Sequence, residues 1–244
     1  MKILVCISCV PDTTTKITFT DNNTEFNRSD VQFIINPYDE IALAKALELT
    51  ENGNGSVTVI HVGTADAEPV IRKALAIGAS EAIRVDAQPR DAYFVSKQIA
   101  SAVEKEEFDM ILCGRESSDY NGGQLASMIG EWLQIPAVCV IKSLDIQGDL
   151  AVMERQIESG KEIVETTFPF VASCSEGVAE PRIANMRGIM SARSKPLHVV
   201  EAEDVPRLQQ FASFETPPAR GQVKLIDADH PEELIDLLRE AKVL

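Results

Sequence analysis

Short β-branched runs alternate with helical patterns along the first part of this chain, and no other feature constrains its fold as much. The runs lie at residues 2–9, 56–62, 81–85, 108–113 and 137–141. Segments with apolar residues at helical spacing separate them, which is typical of parallel strands joined by crossover helices. Because such crossovers are right-handed, the order predicts an open, twisted, mainly parallel α/β sheet with helices on both faces.

Local signals predict where the helices begin and end. Asn36 is a favourable N-cap, Pro37 fits the first helical position, and Asp39 complements the positive end of the helix. Gly78 is suited to the left-handed C-cap that ends many helices before a strand. The predicted helices run from Pro37 to near Gly53, over about 67–77, over about 91–106, and onward from Gly122-Gly123.

After Pro136 the pattern changes to that of antiparallel strands. Residues 144–150 form a predicted turn between two apolar runs, and residues 153–167 alternate around Ser159-Gly160. We expect these strands to be added to the sheet.

The last part of the chain differs again. Residues 180–222 show little periodicity and contain five prolines, so we expect an extended arm that is too long to be an ordinary loop. A final helix is predicted over 231–242, with its leucines facing inward.

Charge and composition exclude several classes of protein. Lys and Arg number 23 against 38 Asp and Glu, and the net charge of −15 repels nucleic-acid backbones and anionic membrane surfaces. No apolar run approaches the roughly 20 residues that span a bilayer, and the apolar start of the chain lacks a signal-peptide cleavage site. We therefore expect a protein of the prokaryotic cytoplasm that binds no nucleic acid and is not membrane-embedded.

The cysteines predict reduced thiols. They form an odd set inside mostly apolar segments, which is typical of a reducing compartment. Cys6-x-x-Cys9 has the spacing of a redox or zinc motif, but no second pair or histidine cluster accompanies it. We favour thiols in or beside core strands over disulfide or metal chemistry, and predict no metal site. The five residues are Cys6, Cys9, Cys113, Cys139 and Cys174.

One loop has the features of a phosphate site. A buried strand ends at Gly114, a polar loop follows, and Gly122-Gly123 opens a helix. Backbone N–H groups at the positive end of that helix would point into the crevice at the carboxyl edge of the sheet. The loop matches neither the dinucleotide nor the triphosphate glycine fingerprint. Its spacing alone therefore leaves nucleotide binding and a plain strand–loop–helix connection open.

Other turns at the same edge of the sheet should converge on this crevice. They are Cys6 to Asp12 after the first strand and Val62 to Thr64 after the second, with Asn36 to Asp39 at one side. The carboxylates of Asp39 and Asp119 suit sugar or amide groups, although for Asp39 we favour a simple helix cap. No catalytic triad, carboxylate pair or zinc spacing is present, which argues against a self-sufficient hydrolase.

A basic and apolar segment stands out in this acidic chain. Between Glu180 and Glu201 there is no acid, and flexible methionines beside spaced cations suit a surface that docks on several partners. An amphipathic connection with its methionines in the core fits the same composition, so both interpretations stay open. The residues concerned are Arg182, Met186, Arg187, Ile189, Met190, Arg193 and Lys195.

These features together resemble one known family. Over essentially its whole length the chain resembles the β subunit of electron-transfer flavoproteins. Six landmarks in the family's order are more specific than any one of them. They are Val10-Pro11-Asp12, Ile35 to Glu40, Arg72 to Ala79, Gly114 to Gln124, Glu154-Arg155, and Arg182 to Lys195.

The resemblance implies a heterodimer with two nucleotides. A larger α subunit would hold the redox-active FAD, and this chain would bind AMP in a structural role. Thr13 occupies the position from which similar β subunits reach towards the flavin ring. The AMP crevice implied by the resemblance comprises Cys6, Asn36, Pro37, Tyr38, Asp39, Val62, Gly114, Arg115, Asp119, Asn121, Gly122, Gly123, Gln124 and Leu125, with Gly123 and Gln124 at the phosphate.

The resemblance also implies how the chain meets its partners. A recognition loop would anchor flavoprotein dehydrogenases, such as acyl-CoA dehydrogenases, with Met186 as its apolar anchor. The chain would be an electron-carrier subunit rather than an enzyme, because the flavin carries the redox chemistry. The recognition loop comprises Arg182, Ile183, Ala184, Asn185, Met186, Arg187, Gly188, Ile189 and Met190.

A division of the chain follows from these expectations. Residues 1–180 would form an α/β nucleotide-binding domain with antiparallel strands. Residues 181–244 would form the recognition loop and an extended arm, whose last helix wraps the α subunit.

Two positions depart from the family's pattern. Gly122 to Leu125 replaces phosphate loops that contain Thr or Asn, which removes side-chain contacts but leaves backbone donors. Gln156 stands where many relatives have an acid that holds the mobile flavin domain. Some relatives bind a second FAD in place of AMP, and the sequence leaves that choice open.

Two other functions fit parts of the sequence. A stand-alone AMP- or ATP-binding signalling or stress module needs only the first α/β part of the chain and not the arm. An adenylating or ATP-hydrolysing enzyme needs a glycine-rich loop after the first strand, which Ser8 to Asp12 does not supply. The leading hypothesis is the electron-carrier subunit.

Overall fold

A nine-stranded sheet is the main feature of the structure, a computed structural model that describes residues 1–53, 55–219 and 221–244. The strands are β1 (Lys2–Cys6), β2 (Cys9–Pro11), β3 (Phe19–Thr20), β4 (Glu25–Phe26), β5 (Phe33–Ile35), β6 (Ser56–Val62), β7 (Glu81–Asp86), β8 (Met110–Gly114), β9 (Ala137–Gln147), β10 (Leu150–Ile157), β11 (Gly160–Thr167), β12 (Phe170–Cys174) and β13 (Leu197–Glu201). The helices are α1 (Pro37–Thr50), α2 (Glu68–Ile77), α3 (Ala92–Val103), α4 (Leu125–Leu133), α5 (Met186–Ala192) and α6 (Glu232–Glu240), and a 3-10 helix (Ala65–Ala67) precedes α2.

The sheet is mainly parallel. Its strand order is β11-β10-β9-β12-β8-β1-β6-β7-β13. Seven neighbouring strands of this order run parallel, namely β9, β12, β8, β1, β6, β7 and β13. In the register of these strands, Ile3 of β1 lies beside Val57 of β6 and Met110 of β8. β10 pairs antiparallel with both β9 and β11. The predicted fold, a mainly parallel α/β sheet with added antiparallel strands, is confirmed.

Neighbouring residues of the central strand serve two cores, one on each face of the sheet. Ile3 packs with Leu43 of α1 in the first core. Leu4 packs with Phe94 of α3 and Ile129 of α4 in the second. Because side chains alternate along a strand, one short apolar run supplies both layers.

The first predicted strand, residues 2–9, is divided in the structure. β1 ends at Cys6, and β2 pairs antiparallel with β5 outside the main sheet. The chain leaves the main sheet at Ser8, whose N–H donates to Asp39 Oδ2 at 2.7 Å. The sequence predicts a turn within Cys6 to Asp12, but no local pattern specifies that Cys9–Pro11 then pairs with β5.

Residues 180–222 are more regular than the sequence predicts. They contain α5 and β13, and β13 pairs in parallel with β7 at the edge of the main sheet. Pro196 stands just before β13, and proline is compatible with the start of an edge strand. The larger compact unit therefore comprises Met1–Lys16 and Arg28–Gln210, whereas the predicted boundary lies at residue 180.

A smaller compact unit comprises Ile17–Asn27 and Phe211–Leu244. In it, the rings of Phe19 and Phe214 stack with 5.2 Å between their centroids, and the Phe214 N–H donates to the Asn23 carbonyl at 2.7 Å. The last helix forms as α6, but none of its described residues is buried. The expectation that its leucines face inward is therefore wrong within this chain.

All five cysteines lie in strands as free thiols. The prediction that they sit in or beside core strands is confirmed, and Cys6, Cys113 and Cys174 are fully buried. Within the described ranges, no helix has the length and apolar character needed to cross a bilayer.

Candidate nucleotide-binding crevice

The order of strands reverses between β1 and β8. From β1 the sheet continues to β6 and β7 on one side, and from β8 to β12 and β9 on the other. Ligands of open α/β sheets bind outside the carboxyl ends of the strands at such a point. The strands β1 and β8 end there at Cys6 and Gly114, two of the predicted site residues.

A buried carboxylate joins the two loops that leave this point. Asp39 Oδ2 accepts the N–H of Ser8 at 2.7 Å, and Asp39 Oδ1 accepts the N–H of Gly114 at 2.9 Å. A Cβ at position 114 would lie 2.3 Å from Asp39 Oδ1, so only glycine fits there. Asp39 is 4% exposed. It links two loops, and its interpretation as a simple helix cap is wrong.

Asn36 holds the loop after β8 through both ends of its amide. Its Nδ2 donates to the carbonyl of Glu116 at 2.8 Å, and its Oδ1 accepts the N–H of Ser118 at 3.2 Å. Asn36 occupies the predicted N-cap position of α1, but its side chain makes no capping hydrogen bond. Tyr38 donates its hydroxyl to Glu176 at 3.1 Å. The first turn of α1 thus anchors the neighbouring loops.

The loop before α4 leaves backbone donors available to a ligand. Asn121 closes the preceding turn by donating its N–H to the Ser117 carbonyl at 2.9 Å. The donors that follow lie at the positive end of α4. Among the described residues, no protein acceptor binds the backbone N–H groups of Gly122, Gly123, Gln124 and Leu125.

Packing within the chain does not require the two glycines of this loop. A Cβ at Gly122 would lie 3.8 Å from Ser117 Oγ, and one at Gly123 would lie 3.4 Å from the Arg115 carbonyl oxygen. Neither glycine has a positive φ. Their missing side chains instead let a ligand approach the backbone closely. This set of donors fits the phosphate group of a nucleotide.

Two buried residues that the sequence reading did not single out shape the turn after β6. His61 Nδ1 lies 2.9 Å from the Ile7 carbonyl oxygen, and burial lowers the pKa of its imidazole. Arg84 donates from Nη1 to the Gly63 carbonyl at 2.8 Å. They hold the backbone beside Val62, a predicted site residue that is itself buried. The sequence carried a signal for this role, because His61 and Arg84 are polar residues within the apolar strands β6 and β7.

The structure brings most of the predicted crevice residues to one edge of the sheet. Five of the predicted cofactor-binding residues are exposed, namely Thr13, Asp119, Asn121, Gly123 and Gln124. Thr13 lies on an exposed turn after β2. Asp119 is also exposed, and its Oδ1 accepts the N–H of Tyr120 at 2.9 Å. The described residues contain no group of three or more His, Cys, Asp or Glu side chains that could hold a metal ion.

The predicted recognition loop forms a separate surface, on helix α2. Asn185 caps α5, because its Oδ1 accepts the N–H of Gly188 at 2.8 Å. Ile183, Met186 and Met190 are 95%, 74% and 71% exposed, so the interpretation that places the methionines in the core is wrong. Of the other members, Ala184 packs against the core, Arg187 and Ile189 are exposed, and Arg182 pairs with Glu51.

The sheet and the crevice define an open α/β protein with a candidate ligand site at the switch point of its strand order. Comparison with known proteins narrows this class. The family model of the Electron transfer flavoprotein domain matches residues 24–205. The chain therefore belongs to the electron transfer flavoprotein family.

Individual relatives match from end to end. The Electron transfer flavoprotein subunit beta of Bacillus subtilis (strain 168) is 34% identical over 260 aligned positions that cover 100% of both chains. The Acryloyl-CoA reductase electron transfer subunit gamma of Anaerotignum propionicum is 32% identical with the same coverage. The Caffeyl-CoA reductase-Etf complex subunit CarD of Acetobacterium woodii is 30% identical, again over 100% of both chains. The predicted resemblance to β subunits is confirmed, and electron transfer is the function that the family supports.

The substitution Asp39→Asn should change how stability depends on pH. Burial raises the pKa of the Asp39 carboxyl to about 7, and hydrogen bonds from Ser8, Asn36 and Gly114 oppose this only in part. The folded chain therefore keeps a proton over a range in which the unfolded chain has lost it, and this contribution to stability is lost as pH rises towards 7.

We expect the unfolding free energy of the wild type to fall by about 1.4 kcal/mol per pH unit relative to D39N, between roughly pH 5 and 6.5. Urea unfolding of the full chain at several pH values measures this slope. Asn121→Ala changes no charge in the same crevice, so its unfolding free energy should vary with pH as that of the wild type does. Parallel curves for D39N, or a slope of opposite sign, contradict the prediction.

Proposed function

We propose that this chain is the β subunit of a heterodimeric electron-transfer flavoprotein, which passes electrons from flavoprotein dehydrogenases to an acceptor through FAD held mainly by an α subunit. The observation that carries the proposal is the end-to-end match with electron-transfer subunits. Two of these relatives bear the names of CoA-thioester reductases or their complexes. Those names support an acyl-CoA dehydrogenase as the partner.

The crevice would hold AMP, or a second FAD, through the backbone donors from Gly122 to Leu125. Both nucleotides carry phosphate, so the donor set supports either. Asn36 and Asp39 fix the loops after β1 and β8 before any ligand arrives, which keeps the donors pre-organised. When bound, FAD supplies the redox chemistry, and no side chain of this chain need act as acid, base or nucleophile.

The exposed apolar side chains of α5 would form the docking surface. Met186 and Met190 are unbranched and adaptable, which suits a surface that meets more than one dehydrogenase. Arg187 and Arg193 are exposed beside them. In a chain of net charge −15, these cations would steer an acidic partner to this place.

The smaller unit would bind the α subunit. Its helix α6 leaves Leu234 and Ile235 exposed, and Val243 and Leu244 beyond the helix are more exposed still. Apolar side chains gathered in this way mark protein interaction sites. An α subunit that covered them would give the arm the core it lacks within this chain.

The composition supports a place in the cytoplasm. The five free thiols suit a reducing compartment. The strong negative charge disfavours binding to nucleic acid.

Co-expression with the α subunit tests the proposal. The purified complex should release one FAD and one AMP per heterodimer on denaturation, or two FAD if the second nucleotide is flavin. Chromatography of the released nucleotides gives these ratios. A chain that stays without a partner and carries nucleotide but no flavin would support a stand-alone nucleotide-binding module instead.

Gly123→Asp should empty the crevice, because a carboxylate beside the phosphate donors repels the phosphate. Gly123→Asn has the same shape without the charge and is the matched control. We expect at least a tenfold loss of affinity for AMP in G123D, about 1.4 kcal/mol or more, and a much smaller loss in G123N. Isothermal titration of the nucleotide-free complex measures both. Equal losses in the two variants would place the phosphate elsewhere.

Met186→Glu should weaken docking without affecting either nucleotide. A charge at an exposed apolar anchor opposes burial at the interface, whereas Met186→Leu keeps an apolar side chain of similar volume. With an acyl-CoA dehydrogenase as electron donor, the KM for the carrier should rise about tenfold in M186E and about twofold at most in M186L. An unchanged KM in M186E would show that α5 is not part of the docking surface.

A further inference from the structure

Helix α5 is too short to be stable by itself. It has seven residues, and Ala192 is the one it buries in the described chain. Isolated helices of fewer than about 12 residues are marginal in water, and the glycine at position 188 lowers the helix propensity further. The order of α5 must therefore come from α2, on which it packs.

Two cations, one in the middle of α2 and one just after α5, tie the two helices together. Arg72 of α2 donates from Nη1 to the carbonyl oxygens of Ala192, at 2.9 Å, and Lys195, at 2.8 Å, where α5 ends. Lys195 donates from Nζ to the carbonyl oxygens of Leu75, at 2.8 Å, and Ala79, at 2.6 Å, where α2 ends. We call these four hydrogen bonds the reciprocal clamp. The carbonyls of Ala192 and Leu75 lie in the last turns of α5 and α2, where they lack a partner within the helix and carry the negative end of its dipole. The carbonyls of Lys195 and Ala79 lie just beyond these helices.

Other contacts fix the same arrangement. Glu68 orients the guanidinium of Arg72, with its Oε1 at 3.1 Å from Nη2 and 3.2 Å from Nε. Gly188 lets the helices approach closely, because a Cβ there would lie 2.2 Å from the Ala76 carbonyl oxygen. Burial lowers the pKa of Lys195, as expected for a cation drawn partly out of water.

The clamp divides the cations of this segment into two groups. Lys195 is bonded to the carbonyls of α2, and Arg182 pairs with Glu51 at 2.6 Å. Arg187 and Arg193, in contrast, are exposed on α5 and just after it. The ammonium group of Lys195 is therefore used in hydrogen bonds within the chain and is not available to bind a partner.

We propose that Arg72 and Lys195 are positioning residues for docking: the reciprocal clamp holds α5 so that Met186 and Met190 face the partner. The inference rests on the proposed function, in which a flavoprotein dehydrogenase binds α5. Loss of the clamp leaves both methionines in the chain but lets α5 unwind. The cost of ordering the helix then falls on the binding step and weakens affinity.

Lys195→Met tests the clamp, with Lys73→Met as matched control. Lys73 lies on α2 and pairs with Glu40 at 2.6 Å outside the clamp. In the full-length chain bound to its α subunit, K195M should speed amide hydrogen exchange at residues 186–192 about tenfold or more. The KM of an acyl-CoA dehydrogenase for the carrier should rise by a similar factor while kcat is unchanged. K73M should leave both values as in the wild type.

Lys195→Arg should keep the exchange rate and the KM near the wild-type values, since a guanidinium can donate to both carbonyls at the end of α2. If K195M does not fold by circular dichroism, Arg72→Lys decides, because a single ammonium does not reproduce the fork that meets two carbonyls and Glu68. Unchanged exchange and KM in the folded variant would overturn the proposal, and so would a lower kcat with an unchanged KM. A wild-type complex that no acyl-CoA dehydrogenase reduces would contradict the proposed function, while exchange at α5 would still decide the clamp.

Discussion

The bond of Asp39 to two backbone N–H groups is the interaction on which the crevice depends. Ser8 and Gly114 begin the loops on either side of the switch point, and the same carboxylate satisfies both. Buried donors without a partner are costly, so these loops can leave the sheet only where such an acceptor stands. The raised pKa of Asp39 would also let this acid lie near the proposed phosphate site with less repulsion than a fully ionised carboxylate would cause.

The crevice and α5, the proposed docking helix, lie towards opposite ends of helix α2. Helix α2 follows the turn after β6 at the carboxyl edge of the sheet, and its last turn meets α5 through Ala76 and Gly188. On the proposed function, a partner on α5 would be separated from the nucleotide by the length of this packed helix. The two surfaces could then change independently, which would suit the proposed carrier with its one nucleotide site and several dehydrogenase partners.

The sequence predicted the elements well and the bonds between them poorly. The spacing of apolar residues and the signals for helix ends located the parallel strands and the helices, because these signals are local. The two glycines before α4 marked the candidate ligand loop in the same way. Asp39 and Asn36 were recognised as a helix start, but their partners are residues far away in the chain, which no local pattern specifies. The same holds for Lys195, for which composition left a docking surface and an amphipathic connection open, and which the fold bonds to the carbonyls at the end of α2.

The position of β13 has a consequence for the order in which the chain folds during synthesis. β13 covers the outer edge of β7, with Leu197 beside Ala82, about 115 positions earlier in the chain. Until residue 201 has left the ribosome, β7 presents an open edge to any other strand, and open edges invite aggregation. The segment that carries α5, the proposed docking helix, thus also covers this edge of the sheet. A nascent chain that stops before β13 would be a target for chaperones.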